Sequence, residues 1–175
     1  MPVKPPIAEL EFIQKVRNHR EFSSKIALLG SSDAAALVES YAAYVASRWA
    51  KLGVSHLKEA KKAMAANMSR AAYSRSYYAC YNVSKAVRFL SEGSVSLKGD
   101  DHQKAPDLPN GFPDRDKVSR GITDLYQCRL IADYDNWTGH GSKAYSLSVT
   151  DAINLSGYFI QLARSVLRQQ YGIRI

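Results

Sequence analysis

Arg129 and Asp133 lie four residues apart in the segment Leu125–Asp135, and Tyr134 follows them directly. Residues at this spacing share one face of an α-helix, so the guanidinium can pair with the carboxylate. A planar guanidinium binds phosphate through parallel hydrogen bonds, a carboxylate can position it, and a tyrosine adds a hydroxyl. Arg129, Asp133 and Tyr134 are therefore the candidate catalytic residues, for chemistry at a phosphate. The alternative is a plain intrahelical ion pair, in which Asp133 satisfies Arg129 without a ligand.

A second segment rich in polar aromatic residues, Ser69–Tyr81, precedes this one in the chain. Tyr73, Tyr77 and Tyr81 recur every four residues, which places them on one helix face with Tyr78 beside them. A tyrosine hydroxyl buried in a helical bundle needs a hydrogen-bond partner, and the arginine and aspartate described above are candidates. The alternative is that these tyrosines are amphipathic core residues whose hydroxyls reach water.

The positive charge of the chain is concentrated in one region. The net charge is +8, and Arg48–Glu92 contains nine lysines and arginines but only two acidic residues. Clustered surface bases attract phosphate-rich partners or an acidic protein. The alternative is a solvated helix surface without a ligand.

Composition argues against several other classes of protein. No run of 18 apolar residues is present, so we expect no membrane span, and the first residues lack the apolar run of a signal peptide. A cytoplasmic location is therefore expected. Cys80 and Cys128 are expected to be reduced core residues. The cysteines and the four histidines show no metal-ligand spacing, so neither a metal site nor a cofactor is predicted.

Apolar residues recur at three- and four-residue spacings along most of the chain, which is the pattern of amphipathic helices. Glycines, prolines and capping residues separate these stretches, and no convincing strand is found. The chain is therefore predicted to be all-α, a four- to five-helix antiparallel bundle. The expected helices are Ile7–His19, Asp33–Met68 with an interruption at Gly53, Ser69–Ser91, Asp114–Tyr134 and Ser148–Gln170.

Two loops are predicted between these helices, Ser94–Pro113 and Asp135–Ser142. The first contains glycines and prolines throughout, and a loop of this length often marks a working or mobile segment. His102 lies in the first loop and His140 in the second, and both are expected to be exposed to solvent.

The two helical segments resemble motifs of the HEPN superfamily, all-α proteins of prokaryotic toxin–antitoxin, anti-phage and RNA-processing systems. The run Arg70–Ala79 is similar to the S-R-A-Y-Y-A helix of one HEPN branch, and Arg129–Tyr134 is similar to its R-x-x-A-D-Y helix. His102 stands where that branch often has a loop histidine. The resemblance begins near Arg48, so it predicts an HEPN-like helical bundle over residues 48–175. Residues 1–47 are then an N-terminal extension with one or two short helical segments.

The resemblance implies an RNA-directed protein, often dimeric, and commonly a metal-independent endoribonuclease or its inhibited partner. RNA, an antitoxin or other defence-system protein, and a second copy of the chain are the partners it implies, with no membrane. The residues assigned to RNA contact are Arg70, Arg75, Tyr78 and His102.

The chain departs from the nuclease pattern at one point. In the nuclease branches a histidine follows the arginine by four to six residues on the same helix. The corresponding positions here hold Asp133, Tyr134 and Asp135. Metal-free RNA cleavage needs a base for the 2′-hydroxyl and positive charge at the phosphate, and Arg129 supplies only the charge. Whether the chain is an enzyme is therefore left open.

Three functions follow from the sequence. The first is an HEPN-type effector of a toxin–antitoxin or anti-phage system that cleaves RNA at Arg129. The second is a non-catalytic HEPN module that binds RNA or a protein through the Arg48–Arg88 basic face. The third is a structural module whose tyrosine-rich helix packs against a second copy.

Overall fold

The computed structural model describes residues 18–28, 30–93, 100–135 and 144–175. These residues form five α-helices and one turn of 3-10 helix, and none of them is in a strand. The prediction of an all-α bundle is thus confirmed. The helices are α1 (His19–Leu28), α2 (Ser32–Ala65), α3 (Ser69–Glu92), α4 (Arg115–Tyr134) and α5 (Val149–Tyr171), and the 3-10 turn is Asp100–His102.

Helices α2 and α3 form an antiparallel hairpin. Residues later in α2 contact residues earlier in α3. Trp49 packs edge-on against Phe89, whereas Glu59 pairs with Arg75. The expected interruption at Gly53 is wrong, since α2 is continuous there. Gly53 instead allows the two helices to approach closely: a Cβ would lie 2.6 Å from Val83 Cγ2.

The remaining helices complete an up-down-up-down bundle around α3. Helix α4 runs antiparallel to α5, because Gly121 lies against Leu155 while Asp114 accepts a hydrogen bond from Tyr158. Helix α5 returns along α2, where Gly157 faces Leu57. The core is built from small and aliphatic side chains on all four long helices, including Ala46, Ala79, Val83, Ile122, Leu125, Phe159, Ile160 and Leu167.

Local capping residues explain where α3 ends and where α5 begins. Gly93 follows α3 in the left-handed conformation, with φ of 80°, as predicted for a glycine at a helix C-terminus. Ser148 caps α5 by accepting a hydrogen bond from the Asp151 N–H. Helix α3 begins at Ser69, as expected, and Met68 holds the cap position without a side-chain hydrogen bond.

The segment before α4 packs against the bundle, although the sequence suggested a loop without periodicity. Ala105, Leu108 and Phe112 are buried, and the Ala105 carbonyl accepts a hydrogen bond of 2.6 Å from Ser84 on α3. Apolar burial and this bond fix the path of the chain beside α3, which determines where His102 lies.

The N-terminal part of the described chain belongs to the same core. Helix α1 packs on α2, and His19 is buried, with its Nε2 2.9 Å from the Phe89 carbonyl. Arg48, where the HEPN resemblance begins, lies within α2 close to buried Ala46 and Ala50. Of the expected helix Ile7–His19, residues 7–17 fall outside the described residues, as does His140. Within the described ranges, no helix is long and apolar enough to cross a membrane.

Candidate functional site

One stripe of α3 is only half-buried, and it lies between α2 and α4. Its side chains recur at three- and four-residue spacings, the spacing of a single helix face. Tyr78, at the middle of the stripe, faces His56 on α2 and Arg129 on α4. We call this half-buried strip of α3, between α2 and α4, the α3 groove, and its floor consists of Ala71, Ser74, Tyr78, Tyr81 and Lys85.

Arg129 lies at the α4 side of the α3 groove and is 12 % exposed. Its Nη2 donates hydrogen bonds to the Tyr78 and Tyr134 hydroxyls, at 3.1 and 3.2 Å. The guanidinium carbon lies 5.6 and 5.1 Å from the centroids of the same two rings, within cation–π range. The predicted pair with Asp133 is present, with Nε 2.7 Å from Oδ2.

The guanidinium of Arg129 retains capacity for a ligand. Its Nε–H is close to the Asp133 carboxylate but is not aligned for a hydrogen bond. Nη1 donates to no group among the described residues. Burial alone would lower the pKa of Arg129, but Tyr78 and Asp133 outweigh it and raise the pKa, so the side chain stays charged. An anion in the groove would therefore meet a fixed positive charge with a free N–H group.

His102 is half-buried beside the α3 groove, so the expectation that it is exposed to solvent is wrong. Its ring stacks on Tyr81 with centroids 4.3 Å apart, and its Nδ1 is 2.9 Å from the Tyr77 hydroxyl. Burial, and then the charge of Arg129, lower the pKa of His102 below 6.5. The imidazole is consequently neutral near pH 7 and can accept a proton.

The tautomer of His102 is constrained by Tyr77. Burial strongly raises the pKa of the Tyr77 hydroxyl, so it keeps its proton and can donate. That hydroxyl also lies 3.3 Å from the His102 carbonyl oxygen. Both contacts are satisfied together when Tyr77 donates to the carbonyl and the His102 Nδ1–H donates to Tyr77. Nε2, which has no hydrogen-bond partner in the described parts of the chain, then carries a free lone pair.

Asp101 holds the 3-10 turn that carries His102 against α3. Its carboxylate accepts hydrogen bonds from Arg88 at 2.9 Å and from Tyr81 at 2.8 Å, and Lys85 lies 3.3 Å away. Burial would raise the pKa of Asp101, but Arg88 and the Tyr81 hydrogen bond outweigh it and lower the pKa. Arg88 was assigned to the basic face, and this is wrong, because its side chain is buried in this ion pair.

His56 was not selected from the sequence, yet it borders the α3 groove on the α2 side. Its ring centroid is 5.8 Å from that of Tyr78. Its Nδ1 lies 3.3 Å from Glu59 and 3.3 Å from Arg75 Nη1, and Arg75 also pairs with Glu59. The spacing of His56 and Glu59 on one helix face could have indicated a pair, but only the register of the α2–α3 hairpin brings it to Tyr78.

The other predicted residues have different partners. Arg70 donates to the Ala132 carbonyl at 2.5 Å and to the Asp135 carbonyl at 3.2 Å, so it caps the C-terminus of α4. Tyr73 donates to the Leu147 carbonyl at 2.7 Å and stacks on Tyr145. Of the four α3 tyrosines selected from the sequence, Tyr78 alone hydrogen-bonds Arg129 within the described residues. The expectation that Arg129 and Asp133 satisfy Tyr73, Tyr77 and Tyr81 is wrong, because those hydroxyls bind Leu147, His102 and Asp101.

The cysteines are core residues, as the sequence predicted. Both are buried and free, and burial raises the pKa of the Cys80 thiol to about 12. A thiol with this pKa remains protonated and is a poor nucleophile near neutral pH. Across the described ranges, no three histidine, cysteine or acidic side chains are grouped to hold a metal ion.

No protein-family model matches the chain, and neither a curated protein nor a solved structure is significantly similar to it. The site is therefore interpreted from its own geometry. It combines a neutral imidazole, a charged guanidinium and several hydroxyls along the half-buried α3 groove. Proton transfer and stabilisation of a phosphate charge are the chemistry that these groups can perform.

Proposed function

We propose that this chain is an HEPN-type, RNA-directed effector that cleaves RNA without a metal ion. Its context would be a prokaryotic toxin–antitoxin or anti-phage defence system, in the cytoplasm. The observation that carries the proposal is the position of His102 at the same tyrosine cluster as Arg129. The sequence lacked a base on the helix of Arg129, and the 3-10 turn offers one from a different element.

In the proposed reaction, RNA lies along the α3 groove with one phosphodiester beside Arg129. The neutral His102 accepts the proton of the 2′-hydroxyl, and the resulting alkoxide attacks the adjacent phosphorus atom. Arg129 stabilises the charge that develops on the phosphoryl oxygens. Asp133 and Tyr134 hold the guanidinium in place, and Tyr78 links it to the floor of the groove. The products are a 2′,3′-cyclic phosphate and a 5′-hydroxyl end.

Incubation of purified protein with cellular RNA tests the proposal, with chelator present throughout. We expect the wild-type chain to cleave and Arg129→Ala to cleave about 10²–10³-fold more slowly, the usual cost of removing a group that stabilises the transition-state charge. Arg120→Ala is the matched control, since Arg120 is an exposed arginine on the same helix. Absence of cleavage by the wild-type chain, or full activity of folded Arg129→Ala, contradicts the proposal.

A non-catalytic module that binds RNA is the second candidate, and the exposed surface of α2 favours it. Lys58, Lys61 and Lys62 are exposed there and have no ion-pair partner among the described residues. Binding through these lysines should weaken steeply with salt, and each lysine that contacts a single-stranded phosphate should contribute about 0.7 to the log–log slope. Replacing all three by alanine would then lower the slope, whereas Arg129→Ala would change it little.

A homodimer is part of the proposal, because HEPN sites often form at a dimer groove. Sedimentation of the purified chain tests this part independently of RNA. A monomer at high concentration would remove the dimer and would also remove the third candidate, a structural module that packs α3 against a second copy.

A further inference from the structure

Two histidines flank the same tyrosine in the α3 groove, and they come from different elements. The ring centroids of His56 and His102 lie 5.8 and 6.0 Å from that of Tyr78. Arg129 donates to the hydroxyl of that tyrosine at 3.1 Å. Two imidazoles and one guanidinium are thus gathered around a single side chain of the groove floor.

His56 is held by partners that all engage one ring nitrogen. Glu59 and Arg75 both lie 3.3 Å from Nδ1, and they also pair with each other at 3.3 Å. When Arg75 donates to Nδ1, the proton of the neutral ring lies on Nε2. When the ring is cationic, Nδ1–H donates to Glu59 and Nε2 again carries a proton. Only the cationic ring is acidic enough to protonate a leaving oxygen, and in that state Nε2–H, which has no hydrogen-bond partner in the described ranges, carries the proton to be donated.

We infer that His56 is a second catalytic residue, the general acid that protonates the 5′-oxygen leaving group during RNA cleavage. This inference rests on the proposed ribonuclease function and deepens it. Cleavage by attack of the 2′-hydroxyl requires one proton to be removed and another to be supplied at the opposite side of the phosphorus atom. His102 performs the first task and His56 the second.

The step balances without a further reactant. The 2′-oxygen forms a bond to phosphorus and loses its proton to His102 Nε2. The bond from phosphorus to the 5′-oxygen breaks, and that oxygen gains the proton of His56 Nε2. His102 starts neutral and ends as a cation, His56 starts as a cation and ends neutral, and exchange with water restores both for the next cycle.

Two substrates distinguish whether His56 acts as a general acid or only supports the fold. One is an ordinary RNA, and the other carries sulfur in place of the bridging 5′-oxygen at the cleavage position. A thiolate leaves without being protonated, so its departure does not need a general acid. We expect His56→Ala to cleave ordinary RNA about 10²–10⁴-fold more slowly, the usual contribution of a general acid, and to cleave the sulfur substrate near the wild-type rate. His102→Ala should be slow on both.

His56→Asn provides the second variant, because an asparagine amide can occupy the position of Nδ1 and keep contacts with Glu59 and Arg75. It should show the same selective loss as His56→Ala, which protects the test if the alanine variant fails to fold. Equal losses on both substrates, or a wild-type rate on ordinary RNA, would overturn the role of His56 alone. If the wild-type chain cleaves neither substrate, the proposed function itself fails.

Discussion

Two arginine–aspartate pairs lie on either side of His102, and they differ in burial and in alignment. Arg88 and Asp101 are 3 and 7 % exposed and share an aligned hydrogen bond of 2.9 Å, with Ser84 adding a further contact to Arg88. Arg129 and Asp133 are 12 and 27 % exposed, and their closest atoms are not aligned for a hydrogen bond. Residue types alone do not distinguish the two pairs.

The difference separates a structural role from a functional one. The Arg88 pair makes its contacts within the protein. It fixes the turn that carries His102, and it is buried away from solvent. The Arg129 pair lies at the half-buried α3 groove, and its guanidinium is held by hydroxyls and ring faces that leave Nη1 without a hydrogen-bond partner among the described residues. The buried pair makes only internal contacts, so its role is to position the site. The partly exposed pair has donors to spare among the described residues, so it belongs to the site itself.

Replacement of the two arginines should show the largest contrast, in the free energy of unfolding. Arg88→Ala leaves the buried Asp101 carboxylate with Lys85 as its cationic partner and the Tyr81 hydroxyl as a donor, so we expect a loss of about 3 kcal/mol, the low end for breaking a buried ion pair. Arg129→Ala should lose only about 1 kcal/mol, because its pair is partly solvated. Urea denaturation measures both. Similar losses for the two variants would remove the distinction between the pairs.

The dependence of cleavage on pH sharpens the contrast at His102. Burial and Arg129 lower the pKa of His102 below 6.5, and only the neutral ring can accept the 2′-hydroxyl proton. The rate should therefore fall about tenfold per pH unit once the pH drops below the lowered pKa of His102. Arg129→Ala removes a charge that depresses this pKa, so its residual rate should begin to fall at a higher pH. If the rates of the wild-type chain and of Arg129→Ala begin to fall at the same pH, Arg129 does not influence the pKa of His102.

The smallest expected effect on cleavage concerns the Tyr81 hydroxyl, which binds the Asp101 pair beside His102. Tyr81 donates to Asp101 at 2.8 Å and stacks on His102. Tyr81→Phe keeps the stacked ring and removes one hydrogen bond to a charged group, so we expect a loss of about 1.5 kcal/mol in stability. Cleavage should fall only modestly, because the ring still supports His102. A loss of activity as large as that of His102→Ala would show that the hydroxyl acts in the reaction.

Most of the fold could be predicted from the sequence, because its signals are local. Apolar spacing, Gly93 and Ser148 mark the boundaries of α3 and α5 with little dependence on the rest of the chain. Gly53 was misread as an interruption, since its reason lies in the neighbouring helix: the backbone of Ala79 occupies the space where a Cβ would stand.

The candidate site could be predicted only in part. Spacing along α4 was sufficient to pair Arg129 with Asp133, because i,i+4 neighbours meet within one helix. The position of His102 depends on the packing of Leu108 and Phe112. That packing could not be predicted from a segment rich in prolines and without apolar periodicity. Arg88 was counted as surface charge because a tally of bases ignores the direction in which each side chain points.

The central claim is that His102 and Arg129 act on the same phosphodiester, and a double-mutant cycle tests it most directly. Single-turnover cleavage of one RNA would be measured for the wild-type chain, His102→Ala, Arg129→Ala and the double variant. We predict that each single variant cleaves at least about 100-fold more slowly than the wild-type chain. The double variant should be little slower than the less active single variant, because the effects of groups that act together are not additive. Losses that multiply in the double variant, or a wild-type rate in either single variant, would contradict the account.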